Sequence, residues 1–271
     1  MEFKPRAPRE GINVSSTHPL REAAILVVGV SSIFAALILV LGWSVNLAVR
    51  WIPPELEVRT FGGWAYDLGN AEDEPMRLAV EGVARRLAAH WPDAPYEFHV
   101  IVTDHADANA AALPGGTLLV TSRLLQEVQS ENELAFVLGH ELGHFHSRDH
   151  LRGLGRGVLY QLTAAALFGF GVAIPDVTTF LGDMAARSFD RGQERAADHF
   201  GLKLVQAEYG HVAGAGRFFE RLASGTGEFD EVAAYVSTHP ASSDRLEELD
   251  DYATEQGWPP EGELHPWTKG D

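Results

Sequence analysis

Apolar residues are unevenly distributed along this chain. From Ala23 to Val49 no residue is charged, and the runs AILVVGV and IFAALILVLG succeed one another with little to break a helix. These 27 residues exceed the about 20 that a helix needs to cross a bilayer core. A cleaved signal peptide would have a shorter apolar core and a small-residue site after it. The pattern therefore predicts a retained anchor over residues 22–50, with Trp43 and Trp51 near its outer end, where interfacial aromatics are expected.

Beyond the anchor the periodicity changes. Ala71 to about His90 has helical spacing, with Met76, Leu78, Val80, Val83, Leu87 and Ala88 apolar. Glu97–Thr103 alternates like a strand. Asn109–Leu113 and Thr117–Thr121 flank Pro114-Gly115-Gly116 and predict a hairpin. Ser130-Glu131-Asn132-Glu133 reads as a capping box, S-x-x-E, opening a helix that Leu134, Phe136, Val137 and Leu138 would bury. Further helices are expected around Gln193–Asp198, near 211–223 and near 242–254, and a loop after Gly257. One block of strands with helices around it is an α+β pattern. The chain divides into a flexible N-terminal segment (1–21), a transmembrane anchor (22–50), one domain (51–254) and a C-terminal tail (255–271).

Composition narrows the chemistry. There is no cysteine, which excludes disulfides and a thiolate metal site. A net charge of −17 argues against nucleic acid as a partner. Lys4, Arg6, Arg9 and Arg21 precede the anchor, while Arg50 and Arg59 closely follow it. That bias favours a cytoplasmic N-terminus and a C-terminal domain outside. In a bacterium this is a single-pass inner-membrane protein facing the periplasm.

The candidate chemistry lies in the capped helix. His140-Glu141-Leu142-Gly143-His144 is an H-E-x-x-H pattern. Residues four apart share one helix face, so both imidazoles can aim at one zinc, with Glu141 beside them as base for a metal-bound water. A buried face carrying two His and a Glu is costly unless something satisfies it, and a metal would. A catalytic zinc usually takes a third protein ligand. His146, His150, Glu194, Asp198, His199 and His239 are the candidates, although His146 points to another face. Glu194 and Asp198 stand at i, i+4 in DRGQERAAD. One carboxylate could bind metal while the other holds a ligand His, but a solvated acidic face explains the spacing equally well.

A second charge-free stretch runs from Gly157 to Pro175, 19 residues. A single crossing there would put His144 and the later carboxylates on opposite membrane faces, and two crossings need about 40 residues. The expectation is a helical hairpin, buried or in contact with the membrane.

HELGH followed by E-R-A-A-D resembles the H-E-x-x-H…E-x-x-A-D pattern of the minigluzincin metallopeptidases, which include the CAAX prenyl protease, the HtpX protease and the BepA-like periplasmic proteases. Asn109-Ala110-Ala111-Ala112-Leu113-Pro114-Gly115-Gly116 is similar to the family's N-A-x-A-x-P-G-G segment, and Thr238-His239-Pro240 with Arg245 to its T-H-P…R segment. The resemblance spans about residues 72–254. It implies a mainly helical gluzincin-type α+β domain whose small sheet places an edge strand over the active-site helix. It implies one zinc per chain, held by His140, His144 and Glu194, with Asp198 orienting a ligand His. Glu141 would be the catalytic base, and His239 would support the tetrahedral intermediate. Asn109, Ala110 and Ala112 would lie on the edge strand, to which a peptide substrate adds as another strand. The chain departs from the family at Ala196, where E-x-E-A-D is frequent; that position is not needed as a ligand. Its single anchor argues against prenyl-CAAX chemistry, since that branch carries several spans. The implied function is a membrane-anchored zinc endopeptidase acting on protein substrates, with envelope quality control as the implied setting. The competing readings are a zinc-stabilised chaperone or binding module, and an enzyme inhibited by its own tail or by Gly157–Pro175. Glu141 favours turnover, since mere binding has no use for a base there.

Overall fold

A computed structural model describes residues 18–63, 74–168, 189–224, 239 and 243–268. Most of the N-terminal segment and residues 169–175 of the Gly157–Pro175 stretch lie outside the described residues. The chain forms two units that divide between Asn46 and Leu47.

The first unit is most of helix α1 (Pro19–Val49), the one described helix long and apolar enough to cross a membrane. Ile25, Leu26, Val28, Ile33 and Leu39 are all exposed. A helix apolar on every side needs an apolar surround, which a bilayer provides.

The second unit begins with the last turn of α1 and continues through α2 (Pro54–Phe61), α3 (Glu74–Ala89), β1 (His99–Thr103), β2 (Ala110–Leu113), β3 (Thr117–Thr121) and α4 (Ser122–Glu127). Then come α5 (Glu131–Ser147), α6 (Asp149–Phe168), α7 (Arg191–Tyr209), α8 (Arg217–Ser224) and α9 (Ser243–Glu255). The sheet order is β1-β3-β2, with β1 parallel and β2 antiparallel to β3. The expected hairpin is therefore present, and β2 is an edge strand packed over α5. Its turn needs glycine. Gly115 and Gly116 have φ of 86° and 85°, which side chains rarely adopt, and a Cβ on Gly115 would lie 2.7 Å from Gly62 N.

Helix α5 is the centre of the molecule, buried continuously from Asn132 to Phe145. Ser130 caps it by accepting from Glu133 N at 3.2 Å. The expected capping box is only half made, because the Glu133 carboxylate reaches past Ser130 to accept from Gln129 N and also pairs with Arg221. A complete reciprocal box opens α7 instead, between Asp190 and Gln193. Helix α7 packs along α5 at backbone contact distance. A Cβ on Gly143 would fall 2.6 Å from Ala197 Cα, and one on Gly201 would fall 2.7 Å from His140 N. Absent side chains along this seam bring the E-R-A-A-D helix against the H-E-x-x-H helix.

Two further ties shape the unit. Arg148 ends α5 at φ 59°, a left-handed conformation costing a non-glycine about 1 kcal/mol. Its guanidinium donates to Val49 O, Ile52 O and Glu57 Oε2 at 3.0, 2.5 and 3.1 Å. The tail after Gly257 forms no helix or strand through residue 268 but is tied down: His265 N donates to Asn132 Oδ1, and Trp267 Nε1 to Leu125 O. It therefore docks at the start of α5, about 12 Å along the helix from His140, not over the metal-binding face. Helix α6 runs through Gly157 to Phe168 without a break, with Val158, Tyr160 and Leu162 exposed.

Candidate metal centre

His140 and His144 lie one turn apart on α5, both fully buried. Each ring is held from behind. His140 Nδ1 is 2.8 Å from Asp198 Oδ1, and His144 Nδ1 is 3.1 Å from Asp149 Oδ2. An ionised carboxylate only accepts, so each Nδ1 donates and each Nε2 keeps a lone pair. The two Nε2 atoms face each other across 3.1 Å. Glu194 completes the group from α7, with Oε2 3.6 Å from His140 Nε2 and Oε1 3.5 Å from His144 Nε2. His239 Nδ1 lies 3.1 Å from both His140 Nε2 and Glu194 Oε1. One ligand atom from each of these four buried residues lies within 4.8 Å of the others.

This donor set fits a cation. Facing imidazole lone pairs and a carboxylate repel one another unless positive charge sits between them. Ligands about 2.05 Å from a tetrahedral zinc would be about 3.3 Å apart, close to the 3.1 Å between the two Nε2 atoms and the 3.5 Å from His144 Nε2 to Glu194 Oε1. No thiolate is available, and the His/His/carboxylate set is a catalytic rather than a structural zinc pattern.

The electrostatics agree. Burial alone would depress the His144 imidazole, but Asp149 and Glu194 overcome it and hold its pKa up at about 9. Burial dominates at His140 and lowers it. Burial raises Glu194, but His140, His144 and His239 outweigh it and hold the carboxyl far below its usual range. Without metal, His144 near neutrality therefore carries a second proton on Nε2, directed at the His140 Nε2 lone pair 3.1 Å away, and that proton must leave when metal enters. Zinc binding at pH 7–8 should release about one proton per chain, and affinity should fall as pH drops below about 9. Calorimetry in buffers of different ionisation enthalpy checks this; an apparent enthalpy independent of buffer would contradict it.

Glu141 is fully buried. Neither of its oxygens accepts a hydrogen bond among the described residues, and His239 Nε2 is 3.6 Å from Oε1. An acceptor left unsatisfied beside a metal-binding cluster is placed to take a proton from a small ligand there.

The other sequence candidates are placed elsewhere. His146 stacks on Phe200 at 4.4 Å, His199 stacks on Tyr252 at 3.8 Å, and His150 contacts Glu57 Oε1 at 2.8 Å. Asn109 leads into the edge strand, its N donating to Thr121 Oγ1 and its O accepting from Thr121 N, and Ala110 and Ala112 are buried in β2. Sequence reasoning missed Asp149. It stands immediately after the end of α5, and its other oxygen accepts from Gln193 and Arg152. A carboxylate just past a two-His helix was the available signal. Phe189, stacked on His144 at 3.9 Å, carried none.

Comparison with known proteins agrees with this geometry. The sequence profile of peptidase family M48 matches residues 70–253. The chain is 30% identical over 149 residues to the mitochondrial metalloendopeptidase OMA1 of Arabidopsis thaliana, covering 55% of this chain and 30% of that protein. It is 29% identical over 186 residues to a putative beta-barrel assembly-enhancing protease of Vibrio cholerae, covering 64% and 38%. It is 30% identical over 176 residues to the metalloprotease YcaL of Escherichia coli, covering 62% and 66%. The chain thus spans about a third of the length of the first two relatives and two thirds of the third.

Proposed function

Because this chain belongs to peptidase family M48, we propose that it is a membrane-anchored zinc metalloendopeptidase that cleaves peptide bonds of protein substrates. The observation that carries this reading is Glu141, buried and without a hydrogen-bond donor among the described residues, beside the converged atoms of His140, His144 and Glu194. A site built only to hold metal has no use for a free base there.

Bound zinc would supply the Lewis acidity that polarises the scissile carbonyl and acidifies a water. His140, His144 and Glu194 would hold it, with Asp198 and Asp149 keeping both Nε2 lone pairs turned inward. Glu141 takes the proton of the attacking water and later delivers it to the leaving amine. His239 stands between Glu141 and Glu194 and donates a hydrogen bond to the oxyanion as it forms. A substrate strand adds to β2 at Asn109, Ala110 and Ala112, where main-chain bonds give affinity with little sequence selectivity. The charge bias around α1 supports a periplasmic catalytic unit in the bacterial inner membrane. Likeness to a β-barrel assembly-enhancing protease supports a role in envelope protein quality control.

The detergent-solubilised chain should cleave denatured casein, lose that activity when zinc is stripped with 1,10-phenanthroline, and regain it on stoichiometric zinc. A chain that binds zinc but cleaves nothing under any of these conditions favours the zinc-stabilised binding module instead.

A further inference from the structure

Arg245, in the first turn of α9, lies behind the metal-binding group and is 8% exposed. Its guanidinium spans both carboxylates of the E-R-A-A-D helix. Nη1 is 2.6 Å from Glu194 Oε2, while Nε and Nη2 form a fork on Asp198 Oδ2 and Oδ1 at 2.5 and 2.7 Å. The cation also stands 4.9 Å above the Phe219 ring. Asp198 Oδ1 serves two donors at once, Arg245 Nη2 and His140 Nδ1.

Two consequences follow from chemistry. Glu194 and Asp198 are buried carboxylates one helical turn apart, which repel each other and cost desolvation unless a fixed positive charge is shared between them. A guanidinium is planar and presents donors in a rigid fork, so binding both carboxylates sets their relative pose. With Oε2 paired to Arg245 and 3.6 Å from His140 Nε2, Glu194 Oε1 is presented to His144 Nε2 and His239 Nδ1 at 3.5 and 3.1 Å. Fixing Asp198 fixes the proton on His140 Nδ1 and keeps the Nε2 lone pair inward. We propose that Arg245 is the positioning residue of the metal centre. It fixes the pose of the Glu194 carboxylate by an ion pair and, through Asp198, sets the tautomer of His140, without touching substrate.

The proposal rests on the zinc reading above, and its decisive readout is metal affinity rather than cleavage. Arg245→Lys keeps the charge but cannot form the fork. Zinc affinity of the metal-stripped full chain, measured by chelator competition, should fall roughly 10–100-fold, as when outer partners of metal ligands are lost. The absorption bands of the cobalt-substituted protein should shift. kcat should fall with KM nearly unchanged, since no substrate contact is lost. Asp198→Asn should reduce affinity by a similar factor, and the double variant should be little worse than either single one, because both break one chain of contacts. Wild-type affinity and an unaltered cobalt spectrum in Arg245→Lys would overturn the proposal, as would fully additive losses. If Arg245→Lys does not fold, Asp198→Asn decides alone: wild-type zinc affinity there overturns it. Failure of the wild-type chain to cleave peptides would sink the peptidase reading while leaving these affinities informative.

Discussion

Replacing Glu141 with glutamine should leave folding and zinc content intact while lowering the rate of peptide cleavage by roughly 10²–10⁴-fold. The side chains are isosteric, so the buried volume between α5 and its neighbours is kept. Glu141 makes no hydrogen bond among the described residues, so little structure depends on its charge. What disappears is the capacity to take a proton. The amide cannot accept one near neutrality, and the attacking water then loses the base assigned to it. Matched zinc analysis and initial rates on a fluorogenic peptide check the result. Cleavage within a factor of three of wild type would remove Glu141 from the mechanism. An inactive variant that holds zinc should also retain substrates that the wild type degrades, which separates an enzyme from a binding module.

The second large effect is on stability and lies outside the metal centre. Glu57, on α2, is 1% exposed and is the hub of a buried polar knot. Its Oε1 receives His150 Nε2 and Gly115 N, and its Oε2 receives the Tyr96 hydroxyl and Arg148 Nη2. The knot ties α2 to the hairpin turn, to the segment before β1 and to the end of α5. Glu57→Ala would strip four donors of their acceptor and leave Arg148 without its charged partner. Breaking a buried pair from one side costs roughly 3–5 kcal/mol, so the melting temperature should fall by about 10 °C or more. A change under 2 °C, about what a surface substitution of a few tenths of a kcal/mol gives, would refute the assignment.

The same residue gives a pH signature. Burial alone would raise the Glu57 pKa, but His150, Gly115 and Tyr96 pull it down to about 2, against 4.5 for the free side chain. Between those values the unfolded chain holds more protons than the folded one. The stabilisation is therefore complete above 4.5 and is lost as pH falls through 2, on the order of 3 kcal/mol in all. Melting curves between pH 6 and pH 2.5 should show a shallower acid decline in Glu57→Ala than in wild type.

What was legible in the sequence was local or carried by a motif. Alternation, the Pro-Gly-Gly turn and 3.6-residue spacing are properties of neighbouring residues, and the β2–β3 hairpin and the helices follow from them. H-E-x-x-H and E-R-A-A-D name residue types that only a few chemistries require at such spacings, so the residues brought together around His140 were readable in advance. Asp149, Glu57 and the ties of Arg148 were not. Glu57 and Arg148 are ordinary charged residues whose roles come from partners distant in sequence, while Asp149, only five residues past His144, is brought onto that ring by the chain reversal that ends α5. The half-made box at Ser130 shows the same limit at close range. S-x-x-E specifies a side chain able to reach back, and the tertiary pull of Arg221 and Gln129 N decides where it goes. The tail reads as featureless for the same reason, since its order depends on Asn132 and Leu125, more than 130 residues earlier.

The glycine seam between α5 and α7 bears on what the motif means as a pattern. In His140-Glu141-Leu142-Gly143-His144 the two middle positions are conventionally free. Here the second is occupied by backbone from the helix that carries Glu194, and any side chain would have to displace Ala197. The same letters with a bulky residue at that point would still spell two histidines and a base, but the third donor would stand off by the width of that side chain. In this fold, then, the silent letter of the motif sets the distance between two halves of the site. A search or a design that treats it as a wildcard would accept chains whose ligands never meet.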